Sequence, residues 1–154
     1  TAAPSTGTAQ VVSVGALDMV NFGATDTVPD QFRDRTFYEH NLTTTLMRTT
    51  AAECHELGIR FAERVAPSGT NTTVYLPTAG VSMISCDGQP FHDSAADQAL
   101  FDAIRTGLRD TGVKIIEVAT DINDSEFALA MARRLDEAIR NQSHQSTNNP
   151  GTRP

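Results

Sequence analysis

Three stretches of the chain hold residues whose types and spacing suit chemistry on a small anion. The first sets Asp18, Asn21 and Gly23 behind the β-branched run Val11-Val12-Ser13-Val14. In such a loop Asp18 can serve as a general base, hold a ribose hydroxyl or a metal, or cap the loop through local backbone hydrogen bonds. The second is Arg48, followed by Thr49 and Thr50 at the start of a helix. A guanidinium beside a helix N-terminus suits a phosphate or carboxylate, and an ion pair with Asp18 or Glu39 is the structural alternative. The third is Pro77-Thr78-Ala79-Gly80-Val81-Ser82, where small residues let backbone N–H groups approach an oxyanion and Thr78 or Ser82 adds a hydroxyl. It has neither the Gly-Lys-Ser/Thr of a P-loop nor GxGxxG spacing, and a tight turn needing Gly80 explains it equally well. Glu39-His40 and His92-Asp93 pair an acid with an imidazole, yet no HxxxH, HxH or CxxC spacing supports a metal site. No Gly-x-Ser-x-Gly elbow supports a serine hydrolase.

These residues act together only if the fold brings them to one edge. Residues 11–14, continuing towards Val20, read as a buried strand of a parallel sheet. Pro29 suits the first turn of a short helix that carries Phe32 inwards, and Phe37-Tyr38-Glu39-His40-Asn41 reads as a connector. Residues 43–49 form a second strand running into a capping box at Thr50 and Glu53. The helix behind it sets Cys54, Leu57, Gly58, Phe61 and Val65 on one stripe and stops at Pro67-Ser68-Gly69. Residues 72–76 are a third strand. Ser94 opens a helix to about Asp110 with Leu100, Ile104 and Leu108 on one face and Gly112 at its end. Residues 113–118 are a fourth strand, and Asn123 or Asp124 caps a last helix with Phe127, Met131, Leu135 and Ala138 or Ile139 inwards. The alternation predicts an α/β fold: a small three-layer Rossmann-like domain with a parallel sheet of about four strands and helices on both faces. Residues 1–9 read as a disordered lead-in or linker remnant, 10–141 as the domain and 142–154 as a disordered tail.

At 154 residues the chain suits one domain. A net charge of −7, from 12 basic and 19 acidic residues, argues against nucleic acid or an acidic membrane as partner. It leaves room for a phosphorylated small ligand, which needs only a few N–H groups and one Arg. Two cysteines, Cys54 and Cys86, make no disulfide framework, so a reducing compartment, the cytoplasm, is expected. No apolar run is long enough to span a membrane. The start at Thr1 suits a fragment or a processed product.

Read together, the loops resemble a known family. The blocks are 13–23 with Val28-Pro29 and 35–41, then Thr45-Leu46-Met47-Arg48-Thr49-Thr50, then Leu76-Pro77 with Gly80-Val81-Ser82 and Gly88-Gln89-Pro90-Phe91. Glu117-Val118, Ile122-Asn123-Asp124 and Phe127-Ala128 close the set. In this order they resemble the C-terminal half of the Tm-1-like ATP-binding family, named after a tomato tobamovirus-resistance protein. The resemblance implies two Rossmann-like subdomains and a nucleotide, ATP with Mg, bound by the complete protein. This chain is then the second subdomain, and its partners are a phosphorylated small ligand, the N-terminal half of the same protein and further copies of the chain. The candidate ligand-binding set is Asp18, Asn21, Gly23, His40, Arg48, Thr49, Thr78, Gly80, Val81, Ser82 and Asn123. An enzyme subdomain, a hydrolase or lyase using Asp18 or His40 as base on a small acid, and a dimerisation or docking module are the alternatives. Two positions depart from the family, which often carries a basic residue at Ala79 and a His at Asp121; both changes weaken affinity for an anion.

Overall fold

Every residue of the stretch Thr72-Thr73-Val74-Tyr75-Leu76-Pro77 is buried, and that stretch is the centre of the fold. The computed structural model describes residues 2–147, with side chains as far as Ser143. In chain order the elements are α1 (Ala2–Thr6), β1 (Gln10–Ser13), β2 (Met19–Phe22), β3 (Phe37–Asn41), β4 (Thr44–Arg48), α2 (Ala51–Val65), β5 (Thr72–Pro77), α3 (Ser94–Gly107), β6 (Lys114–Val118) and α4 (Ser125–Thr147). β5 pairs in parallel with β1 on one side and β6 on the other. Its side chains alternate across the sheet, as a period of two requires. Val74 and Leu76 enter a core with Val14, Cys54, Ala62, Leu100 and Ile104, built with α2 and α3. Tyr75 faces the other way, its ring 5.9 Å from that of Phe127 on α4. Helices thus cover both faces of the parallel sheet.

The single four-strand parallel sheet expected from the sequence is instead two three-stranded sheets, β1-β5-β6 and β2-β4-β3. The apolar run from Val11 does not continue to Val20. It turns at residues 15–18, where Ala16 adopts φ 58°, and the chain re-emerges as β2 in the second sheet. β4, read as a parallel strand, pairs antiparallel with both β2 and β3. The stretch read as a connector, 37–41, is β3, joined to β4 by a tight turn in which Asn41 Oδ1 accepts from Thr43 N at 2.9 Å. The helix expected near Pro29 resolves into two 3₁₀ turns, Thr25–Thr27 and Asp30–Phe32, with the Phe32 ring tilted at 47° to that of Phe22, 5.6 Å away.

The helices follow their local signals more closely. The Thr50 side chain accepts from Glu53 N and the Glu53 carboxylate accepts from Thr50 N, which completes the capping box of α2. Asp93 caps α3 by accepting from Ala96 N at 2.9 Å. Of the two candidate caps for α4 it is Asp124 that accepts, from Phe127 N at 2.9 Å. α3 ends at Gly107, short of Asp110, and Gly112 sits in the turn beyond at φ 81°. The expected lead-in holds the helical turn α1, and the expected tail is helical to Thr147; the rest of it lies outside the described residues. Gly58 lets α2 and α3 meet backbone to backbone, since a Cβ there would lie 2.6 Å from Leu100 O.

Candidate functional site

Asp18 ends the turn after β1, Arg48 ends β4 and Ser82 lies in the loop after β5, so three elements meet at the carboxyl edge of the parallel sheet. Asp18 is fully buried, and Ser82 Oγ donates to its Oδ2 at 2.6 Å. Its Oδ1 is a buried side-chain atom with no partner among the described residues. Its carbonyl accepts from Thr49 N at 2.9 Å and from Arg48 Nη1 at 3.3 Å. Arg48 sits in the interior and uses all three guanidinium nitrogens there. Nε donates to Phe91 O at 2.8 Å, Nη1 to Thr49 Oγ1 at 3.3 Å, and Nη2 to Asp97 Oδ1 at 2.6 Å. Arg48 is therefore an ion-paired strut, as its structural alternative held, with Asp97 as partner in place of Asp18 or Glu39. Burial pushes the Asp97 carboxyl up from its ordinary 3.8, against the pull of the Arg48 guanidinium.

The loop read as an anion cradle is closed by the chain itself. Ser85 Oγ accepts from Val81 N at 2.9 Å and Ser82 N at 3.0 Å, where an oxyanion would sit. Thr78 N and Oγ1 both donate to Val118 O, and Ala79 N donates to Thr120 O at 3.0 Å. Gly80 bridges to Asp121 in parallel, so this loop and the 119–124 loop lie side by side. A Cβ on Gly80 would stand 2.8 Å from Cys86 Sγ, a close approach that requires glycine. The loops 14–18, 77–82 and 119–124 hold no Lys or Arg. With the N–H groups and Arg48 committed, this edge by itself does not fit the phosphates of ATP.

The candidate residues separate into three groups. Asp18, Arg48, Thr49, Val81 and Ser82 are buried together; Thr49 Oγ1 donates to Leu17 O at 3.1 Å and meets Cys54 Sγ at 3.1 Å. Thr78 and Asn123 are exposed, each two residues along its loop from the buried Gly80 and its bridge partner Asp121 respectively. Asn21, Gly23 and His40 lie along the second sheet, two to four residues from the Arg48 end of β4, on the order of 10 Å away. Asp97, Ser85 and Phe91 O complete the cluster without having stood out in the sequence. Asp97 had a legible signal: it shares the helical stripe of Phe101, Ile104 and Leu108, and a carboxylate on an apolar stripe requires a buried partner. Burial raises the thiols of Cys54 and Cys86 above their ordinary 9.0, so neither is a thiolate near neutral pH. Among the described residues no three His, Cys, Asp or Glu side chains gather as a metal site.

A parallel α/β sheet carries an antiparallel sheet inserted between its first strand and first long helix, and its polar loops gather at the strand ends, the architecture of an α/β domain. Residues 1–139 match the C-terminal domain of an uncharacterised protein family, UPF0261, and the chain belongs to that family. It is similar to a UPF0261 protein of Clostridium tetani, 44% identical over 134 residues, covering 87% of this chain and 33% of that protein. It is also similar to a UPF0261 protein of Mesorhizobium japonicum, 46% identical over 132 residues, covering 85% of this chain and 33% of the relative. A third relative is the ToMV resistance protein Tm-1 of Solanum lycopersicum, 39% identical over 124 residues, covering 79% of this chain and 16% of that protein. The chain spans at most a third of the length of these relatives.

Proposed function

We propose that this domain forms one wall of a cleft for a nucleotide or another phosphate-bearing small ligand, and that the opposite wall comes from the part of UPF0261 proteins outside the match. The observation that supports the reading is Asp18. It is a fully buried carboxylate at the head of a strand-end loop, with one oxygen held by Ser82 and the other without a partner. A buried carboxyl with one oxygen unpartnered is unfavourable, and a group of that kind calls for an explanation such as a functional role. Ligands of open α/β sheets sit beyond the carboxyl ends of the strands, where this loop lies. The resemblance to the Tm-1-like ATP-binding family is what supports a nucleotide as the ligand class.

In this reading Arg48, Thr49, Val81 and Ser82 hold the loops in place, and Asp18 keeps its unpartnered oxygen for the ligand. Thr78 and Asn123, both exposed on the two bridged loops, face the ligand. Phosphate charge is met by the opposite wall, because the three loops carry no cation. Asn21, Gly23 and His40 fall outside this wall.

The test is calorimetric titration of ATP with Mg²⁺ into a UPF0261 chain that carries this domain and the preceding part. Asn123→Ala is expected to weaken binding about fivefold, the loss of one hydrogen bond of ~1 kcal/mol. Asp18→Asn is expected to weaken binding while leaving the melting midpoint within a few degrees. Absence of binding heat, or an affinity indifferent to both changes, overturns the reading.

A further inference from the structure

We infer that the free edge of β1 and the adjoining flank of α2 seat the part of UPF0261 proteins that lies outside the matched region. β1 pairs with β5 on one side, and among the described residues nothing pairs with its other side. All four of its residues are only half-buried, Val11 and Val12 included. An apolar edge strand with unpaired backbone groups attracts another strand unless something covers it.

The surface beside that edge is built to be covered. α2 buries Gly58 and Ala62 against Ala103 and Gly107 of α3, so Leu57, Arg60 and Arg64 lie on the flank turned away from α3. Leu57, Phe61 and Leu17 line a groove of about 490 Å³ rimmed by Arg60 and Arg64. It continues past Val20, 41% exposed, into a second groove of about 440 Å³ that shares Leu57 and Arg60. Arg60 is held by Glu56 at 2.7 Å, whereas Arg64 has no ion-pair partner among the described residues. The face therefore suits an apolar surface that carries a carboxylate opposite Arg64.

The occupant follows from length. The Clostridium tetani and Mesorhizobium japonicum relatives each have 33% of their length matched, so roughly two thirds of each chain must seat elsewhere on the molecule. A strand added to β1 continues the parallel sheet, and the element that follows it fills the grooves, the strand-addition mode of recognition. This names the surface on which the two-walled reading depends, and its test uses association alone, without nucleotide. Sedimentation velocity is run on this chain with the unmatched two thirds of the Clostridium tetani relative supplied as a separate polypeptide. A one-to-one complex is expected, weakened at least about tenfold by Val20→Lys and by Arg64→Glu, both at exposed positions. Met83→Lys, at an exposed position on the loop after β5, is expected to leave it unchanged. No complex, or one indifferent to both changes at the groove, overturns the proposal. A homodimer of this chain that the same two changes abolish assigns the face to a second copy and overturns it equally.

Discussion

Arg48 illustrates how far a residue's chemistry depends on what surrounds it. Beside Thr49 and Thr50 it has the look of an anion ligand, yet it spends its donors on Phe91 O, Asp97 and neighbouring groups of the same cluster. Removing one member of a buried ion pair leaves the other charge uncompensated, at a cost of about 3–5 kcal/mol. Arg48→Met, which keeps much of the volume, is therefore expected to lower unfolding stability by about that amount in urea titrations. A change under about 1 kcal/mol would mean that Asp97 finds another partner or takes up a proton. Asp97 itself was recognisable as an acid on an apolar stripe, whereas Ser85 was not. Its hydroxyl lies four residues beyond Val81 in an irregular loop, and no periodicity announces that it caps Val81 N and Ser82 N.

At the scale of elements, the helices were legible and the second sheet was not. Thr50 and Glu53 signal a capping box through contacts three residues apart, and the structure makes both of them. Glu53 also receives Arg35, whose guanidinium holds its carboxyl below the ordinary 4.5. A lowered acid stabilises the fold above its unfolded value, and that contribution is lost as pH falls through the folded value. Glu53→Gln is accordingly expected to flatten the loss of stability below about pH 4.5, read from melting midpoints across the acid limb. Asp97, raised by burial, acts with the opposite sign: its contribution is fullest below 3.8 and fades as pH rises. The α2–α3 contact gives a further test. Alanine normally favours a helix over glycine, but at Gly58 its Cβ would meet Leu100 O at 2.6 Å and Ala103 Cβ at 2.7 Å. Overpacking of this kind costs about 1–3 kcal/mol, so Gly58→Ala is expected to destabilise the domain in denaturant titrations. A gain in stability would show that the two helices separate readily.

For the whole molecule, the two sheets predict two levels of protection. β5 is buried along its length and paired on both sides, whereas β3 is an edge strand of the inserted sheet with His40 and Asn41 exposed. Amide exchange is expected to be slowest in β5 and orders of magnitude faster in β3, because local opening needs less buried surface to be released. Equal protection in the two strands would mean that both sheets open only with global unfolding. The free β1 edge and the α2 flank belong to this scale as well, since only the assembled fold shows which apolar residues remain outside the core.

Sequence alone determined the elements whose causes are local: the capped helices, the apolar stripe of α2, and the strands read at 72–76 and 113–118, which the structure sets at Thr72–Pro77 and Lys114–Val118. It also pointed to the family, which a match over residues 1–139 shows. The tertiary structure decided how strands pair and which polar groups face one another. An apolar run such as 11–20 reads the same whether it crosses one sheet or turns at Ala16 and enters a second, since pairing depends on partners distant in sequence. For the same reason only the folded chain could turn Arg48 inwards onto Asp97 and leave one buried oxygen of Asp18 without a partner among the described residues.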